Sequence, residues 1–450
     1  MWTRDQAKQL CEDILARSPA DGTEIVISAG SGNSLRLAES GPSEQNALSE
    51  LTIDLRLIRG ERQGRARASS SDPVTIQKAI DAAWTAAELS PALELPPLAG
   101  ASQGGDGGQD PERALALAEH APETKIAELE AYLGRVREAG ATATGFYETG
   151  GSSLTYATSN GCFRHAFSGT AGFSSTVLMQ DGAGVGHVIA NGKPLTPEEV
   201  DAAGQRALDK CLASRNPIEV EPKAWRVLLE PRPVSDLLLF MSWAGFGARA
   251  FLEGRSFMSG KLGERVLSDK MTIRDDGTAD CFARPAFDME GQDRQPVTLV
   301  EGGIARSVVW DRVTAAEGKT ESTGHAGVQP SAGGPQVSSV IFDAAGPTSS
   351  DMMSELGDGL LVTQFHYTNL SEPLPVVVTG MTRNGTFLVE DGKVKHAVKN
   401  MRFTQSLVEA FGDVAAVGDD PTLCEAFFGG SMLTRSMVLP AFRFTSSTSF

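Results

Sequence analysis

Beyond about residue 222 the chain breaks into short segments of strand character, and that pattern most narrows the folds open to it. The segments are 270–275, 296–300, 304–310, 336–342, 359–367, 375–382, 385–390 and 393–398. Runs of this length, rich in Val, Ile, Phe and Thr and separated by polar turns, fit strands of a half-buried sheet. Glu390-Asp391-Gly392-Lys393 holds the Asp-Gly pair of a two-residue hairpin, because Asp and Gly tolerate the positive φ that such a turn demands. Hairpins join antiparallel neighbours, so residues 222–450 read as a domain rich in antiparallel sheet. A single apolar helix candidate, 233–252, stands before those strands.

Residues 1–221 read as a separate α+β domain. Ala7, Leu10, Cys11, Ile14 and Leu15 share one helical face over residues 4–17, and Thr3 with Gln6 forms a capping box ahead of it. Ile25-Val26-Ile27 suggests a short buried strand. Over 51–58, Leu51, Ile53, Leu55 and Leu57 alternate with Thr52, Asp54 and Arg56, the pattern of a strand with one face in solvent. Asp72-Pro73 opens a helix that runs to Leu89, and Thr196-Pro197-Glu198-Glu199 caps another over 196–213. A further helix is expected at 123–139, and strands with Gly and Ser turns at 142–180. The Gly-rich stretch 99–111 reads as a flexible loop; it lacks the Lys-Ser/Thr ending of a phosphate-binding loop. The fold class expected is therefore α+β, with two domains, 1–221 and 222–450.

With 40 basic and 57 acidic residues the net charge is −17, which excludes the basic footprint of a nucleic-acid binder and disfavours docking to anionic lipid. The longest uncharged apolar stretch, Leu237 to Ala248, is too short for a bilayer. Cys11, Cys162, Cys211, Cys281 and Cys424 are scattered and odd in number, which suits a reducing compartment. The opening Met-Trp-Thr-Arg-Asp-Gln has no apolar signal region. A cytoplasmic protein without membrane or nucleic-acid partners is expected.

Six histidines, His120, His165, His187, His325, His366 and His396, supply no H-E-x-x-H motif and no pair at ligand spacing on one helix. His325, His366 and Cys424 form the one conceivable metal set. Each has a plainer reading: a loop histidine bonded to backbone, a half-buried sheet histidine, and a small buried apolar group. Asp275-Asp276 is a possible cation site or a strand-ending turn. Phe427, Phe428, Phe442 and Phe444 read as core.

Several segments together resemble the TldD/PmbA family. They are Arg255-Ser256-Phe257-Met258-Ser259-Gly260-Lys261-Leu262-Gly263-Glu264-Arg265-Val266, Thr272-Ile273-Arg274-Asp275-Asp276-Gly277 and Phe287-Asp288-Met289-Glu290-Gly291. Val308-Val309-Trp310-Asp311, Ser322-Thr323-Gly324-His325-Ala326, Gly359-Leu360-Leu361-Val362 and Thr379-Gly380-Met381-Thr382-Arg383-Asn384-Gly385-Thr386-Phe387 continue the likeness. The resemblance covers roughly 220–420. It implies a zinc peptidase fold in which a TldD-like chain, bearing H-E-x-x-x-H and a later Cys, pairs with a TldE/PmbA-like chain around a cavity for unstructured peptides. Here the corresponding helix, Leu237 to Arg249, has neither His nor acid. Zinc needs N, S or O ligands, which Phe, Met and Trp do not replace.

The resemblance therefore implies the metal-free side of the family: a non-catalytic subunit with no cofactor of its own, and zinc in a TldD-like partner. Strand addition along 359–367 and 375–387 is the expected way to hold an extended peptide, with Thr382, Arg383 and Asn384 either meeting it or forming a hairpin surface. The alternatives are a self-sufficient metallopeptidase using His325, His366 and Cys424, and a peptide-binding protein, including a homodimer, with no peptidase role.

Overall fold

The computed structural model describes residues 1–448 apart from 95, 102–104, 283 and 427–429. The first part of the chain is α1 (Arg4–Arg17), β1 (Gly22–Ala38), β2 (Gly41–Arg59), β3 (Arg62–Ala68), α2 (Pro73–Leu89), α3 (Pro111–Ala118), α4 (Pro122–Glu138), β4 (Thr142–Thr158), β5 (Phe163–Met179), β6 (Gly182–Asn191) and α5 (Pro197–Ala213). Then come β7 (Ala224–Leu229), α6 (Pro231–Gly245), α7 (Ala248–Leu252), β8 (Met271–Asp275), β9 (Val297–Glu301), β10 (Ile304–Ala305), α8 (Arg312–Gly318), β11 (Val340–Ala344), α9 (Met352–Leu356) and β12 (Gly359–Val362). The chain continues through β13 (Phe365–Glu372), β14 (Val377–Thr382), β15 (Thr386–Glu390), β16 (Lys393–Ala397), β17 (Met401–Ser406), α10 (Leu407–Gly412), β18 (Ala416–Val417), β19 (Thr422–Glu425), β20 (Ser431–Thr434) and β21 (Met437–Ser447).

Among the described residues these strands form three sheets. The first six make an antiparallel sheet in the order β3-β2-β1-β4-β5-β6, with α2, α4 and α5 packed on it. A second sheet runs β10-β9-β8-β11-β20-β19. The third runs β13-β14-β17-β21-β7-β12-β15-β16, with β18 beside β21. The fold is thus mixed α and β with mostly antiparallel pairing, as expected. Asp391 and Gly392 both take positive φ in the tight turn between β15 and β16, as the Asp-Gly signal requires.

Local capping chemistry sets the helix starts. Thr3 Oγ1 accepts from Gln6 N–H at 3.2 Å and Gln6 Oε1 accepts from Thr3 N–H at 3.0 Å. Thr196 and Glu199 repeat that exchange before α5. The expected helix over 233–252 is two helices. Gly247 is extended, and Val309 takes up the freed backbone: its N–H donates to Phe246 O, and its own O accepts from Ala248 N–H. The same pairing draws Val309 out of the second sheet, so the strand expected at 304–310 stops at Ala305.

The strand expected at 51–58 is present inside a longer one, but its second face is not solvated. Asp54 and Arg56 are buried as deeply as the leucines. Residues 284–293 of the later half cover that sheet: Phe287 packs with Val26, Tyr156 and Ala166. Gly291 turns there with φ +69, and a Cβ on it would lie 2.5 Å from the Tyr156 ring. Of the Gly-rich stretch, residues 102–104 lie outside the described residues; further along it Gly108 N–H donates to Arg284 O and Gln109 N–H to Phe167 O at this seam.

Most of the two segments expected to accept an added strand is already paired on both sides. β12 is bonded to β7 and β15, and β14 to β13 and β17, so neither has a free edge for an added strand. The segment 359–367 is split at Thr363-Gln364, and only its second part, β13, lies at a sheet edge.

Candidate functional site

α6 is the helix on which the resemblance would place zinc ligands. Its residues from Val234 to Ser242 are buried on every side, the mark of a central core helix rather than a surface one. Trp243 alone among its large side chains is 45% exposed. α6 packs against β19 and β20, which brings Cys424 of β19 to its flank. Burial pushes the Cys424 thiol up to about 12, against the opposing pull of its bond with Thr434. A thiol so far above its ordinary range stays protonated and is a poor ligand and nucleophile.

The other two members of the conceivable metal set lie elsewhere. His325 sits on the loop after α8, and its Nε2 is 2.8 Å from Asp275 Oδ1. Its Nδ1 is 2.8 Å from Thr323 O and 2.9 Å from Thr323 Oγ1. Both ring nitrogens are therefore engaged, and no lone pair points to open space. His366 belongs to β13, on an edge of the third sheet, where burial and then the nearby Arg383 charge lower its pKa. The structure brings none of the three together. Among the described residues no group of three or more His, Cys, Asp and Glu side chains is placed to hold a metal ion. The donor set does not fit zinc.

Asp275 and Asp276 separate in role. Asp275 Oδ2 accepts from Ser338 N–H at 2.6 Å and Ser339 N–H at 2.7 Å. Those bonds end the strand expected at 336–342 early, so β11 starts at Val340. Burial would raise the Asp275 pKa, but the bond from His325 and the two backbone donors outweigh it and hold the group below its ordinary value. Asp276 instead is half-buried, pairs with Arg274 at 2.5 Å and accepts from Thr278 N–H at 3.0 Å in the turn.

Arg383 and Asn384 lie together at the turn between β14 and β15. Asn384 adopts φ +54, which Asn accommodates better than most residues, and its Nδ2 donates to Gln364 Oε1 at 2.8 Å. This turn is one wall of a cleft of about 450 Å³. The β5–β6 hairpin, from Leu178 to Ala183, is the opposite wall. Met381 and Val398 make part of the floor apolar. Arg383 is exposed and has no acidic partner among the described residues, whereas Asp181 across the cleft is taken by Arg215 at 3.1 Å. Thr382 does not join them. It is buried, and its Oγ1 accepts from Met401 N–H at 3.0 Å.

The sequence did not mark the polar cluster at the seam. Arg56 makes a two-point bond to Glu24, at 2.9 and 2.7 Å, and Tyr156 donates to the same carboxylate at 2.8 Å. Glu290, 1% exposed, faces this group. One of its oxygens accepts from Arg312 N–H at 3.0 Å, and Oε1 has no donor among the described residues. Burial, then the Asp288 charge, push Glu290 up to about 8. The only sequence signal was its place in Phe287-Asp288-Met289-Glu290-Gly291.

Residues 222–447 match the family described as PmbA/TldA metallopeptidase C-terminal domain. The chain is 25% identical over 268 residues to a metalloprotease of Methanothermobacter thermautotrophicus, across 56% of this chain and 57% of that one. It is 36% identical over 130 residues to an uncharacterized protein of Methanocaldococcus jannaschii, across 28% of this chain and 31% of the relative. In these two relatives the match thus spans little more than half the length or less. It is 21% identical over 450 residues to the metalloprotease PmbA of Escherichia coli, across 94% of this chain and 93% of that one. Among solved structures, TldE from Thermococcus kodakarensis superposes with a TM-score of 0.83 at 20% identity, covering 97% of this chain and all of that one.

Proposed function

The chain belongs to the PmbA/TldD metallopeptidase family, and from that premise we propose that it is the metal-free subunit of a two-chain peptidase. In this reading a TldD-like partner carries H-E-x-x-x-H and the zinc, and this chain forms part of the chamber that receives an unstructured peptide. The observation that carries it is α6: where ligands would stand, the helix offers Leu, Phe, Met and Ala packed into core. His325, with both nitrogens engaged, and Cys424, held as a thiol, support the same reading. A catalytic zinc needs three protein ligands and an open position for water. From Leu237 to Gly245 α6 carries no His, Cys or acid for that chemistry.

The cleft between the β14–β15 turn and the β5–β6 hairpin is where this chain meets the peptide. Arg383 and Asn384 supply a cation and an amide for backbone carbonyls or an acidic group, and the apolar floor accepts side chains without demanding a sequence.

The test is metal analysis of the purified chain, with peptide-cleavage assays alone and with a His-bearing family partner. The expected result is no stoichiometric zinc and cleavage only when the two are mixed. One tightly held zinc per chain, or chelator-sensitive cleavage by this chain alone, would overturn the proposal. In the mixed enzyme Arg383→Ala is expected to raise KM about tenfold, as loss of one charged contact would, and to leave kcat nearly unchanged.

A further inference from the structure

The segment that covers the first sheet does so with one face only. Phe287 stands opposite Asp293 in an isolated bridge, Arg294 N–H donates to Ala286 O at 2.9 Å, and Asp288 N–H to Gln292 O at 3.0 Å. Side chains alternate across such a pair, so Ala286 and Arg294 lie opposite each other on the face turned away from Phe287. Arg284, two residues before Ala286, is the diagonal neighbour of Arg294 on that same face. Two guanidinium groups therefore come together beside the turn after β8 and the start of β11.

Neither has a carboxylate of its own. Arg294 is held by neutral oxygens: Nε donates to Phe287 O at 3.2 Å, and Nη1 to Ser338 Oγ at 3.1 Å and Gly324 O at 3.4 Å. Its Nη2 is uncommitted among the described residues. The Arg284 side chain has no hydrogen-bond or ion-pair partner among them. The acids whose charges reach the two are Asp275 and Asp288, and both are committed elsewhere. Asp275 serves His325, Ser338 and Ser339. Asp288 Oδ1 accepts from the N–H groups of Glu290 and Gln292, each at 2.9 Å, and Oδ2 from Ala326 N–H at 2.8 Å. Burial, then the Arg294 charge, hold the Arg284 guanidinium below its ordinary value. Burial does the same to Arg294 against the pull of the two acids. Both side chains are half-buried, so a small solute can reach them.

A third donor stands beside them. Ser339 is buried, and its Oγ has no partner among the described residues. Gly277 adjoins both it and Arg294. The φ of Gly277 is not positive, so its backbone does not call for glycine. A Cβ there would lie 3.1 Å from Arg294 Cδ and 3.5 Å from Ser339 Oγ, and the missing side chain leaves room next to both.

We propose that Arg284, Arg294 and Ser339 form an anion site that takes one carboxylate or phosphate group of a small ligand. The free groups are donors, so the complement is a ligand end made only of acceptors. A guanidinium fork matches two oxygens on one atom, which carboxylate and phosphate both present. Two desolvated cations without a counter-charge are costly to keep, and a feature of that kind belongs to a binding site more than to a framework. The site shares no residue with the Arg383 cleft and does not depend on the two-chain reading.

The test is calorimetric titration of the full chain with inorganic phosphate and, separately, with N-acetylglycine, at an ionic strength held constant with chloride. Saturable binding of at least one probe is expected, and the tighter of the two names the source of the anion. Arg284→Gln is expected to weaken it about tenfold or more, as loss of a charged hydrogen bond does. Gly277→Ala keeps both charges and suits the backbone, so it tests the space independently; weakening by about threefold is expected there. Without ligand, Arg284→Gln should melt no lower than the wild type, because it loses a half-buried charge that has no partner. No saturable binding of either probe below about 20 mM would overturn the site. So would binding that Arg284→Gln leaves unchanged, or a ligand-free Arg284→Gln chain that melts well below the wild type, since the arginine would then have a structural partner.

Discussion

Asp275 and Glu290 are both buried carboxylates in the later half of the chain, both lie in segments shared with the family, and they behave in opposite ways. Asp275 has three donors: His325 and the N–H groups of Ser338 and Ser339. Glu290 has one, and stands among Asp288 on its own turn, Asp311 at the start of α8 and Glu24 on β1, with the Glu24-bound Arg56 and Tyr156 also facing it. Burial alone penalises charge in both. Burial raises both, but His325 and the two backbone donors hold the Asp275 pKa below its ordinary value, whereas the neighbouring Asp288 charge adds to burial and pushes Glu290 up.

The largest effect is expected from Asp275→Ala, which strands the His325 Nε2 and two backbone N–H groups. It should cost about 3–5 kcal/mol in urea unfolding at pH 7. A loss under ~1 kcal/mol would erase the distinction between the two carboxylates. The native pKa of Asp275 lies below its ordinary value, so its contribution is present above that value and vanishes as pH falls through the lowered one.

Glu290 gives the reverse slope. Its native pKa, about 8, lies above the ordinary 4.5, so the folded chain holds a proton that the unfolded chain has released. Stability should therefore decline as pH rises from 4.5 to about 8, by about 2–4 kcal/mol in total. Glu290→Gln keeps the shape and removes the ionisation, so its unfolding midpoint should stay level across that window and exceed that of the wild type at pH 8. A wild-type profile that is already level there would show that the carboxylate finds compensation in solution. The smallest effect sharpens the Asp275 side: Thr323→Val removes the hydroxyl that accepts from Trp310 N–H at 2.8 Å and bonds the His325 ring, at a cost of about 1–2 kcal/mol.

Elements whose causes are local were legible in the sequence. Capping residues at Thr3, Asp72 and Thr196 fixed three helix starts, because each acts within three residues of itself. Phe442 and Phe444 are core, as their apolar character implied, while Phe427 and Phe428 lie outside the described residues. The strand at 51–58 was legible as a strand, but Asp54 and Arg56 were read as solvent-facing. What buries their face arrives more than two hundred residues later, and no local pattern carries that information. His325 was read as a loop histidine bonded nearby, and Thr323 supplies that bond. Its stronger partner, Asp275, stands 50 residues back and has no spacing signature. The cleft around Arg383 depends on a hairpin some two hundred residues earlier, so its apolar floor was invisible from the turn alone.

The cover over the first sheet has a consequence for synthesis. β6 ends at Asn191 and the covering turn closes at Gly291, so 291 − 191 = 100 residues separate the finished sheet from its lid. At roughly 5–20 residues per second a ribosome takes some seconds to tens of seconds to deliver them. For that interval the uncovered face shows Glu24, Asp54, Arg56 and Tyr156 to water. Leucines in those places would present a sticky patch to every neighbouring nascent chain. Charged residues that pair with one another keep the waiting intermediate dispersed, and are already mated when the lid comes down.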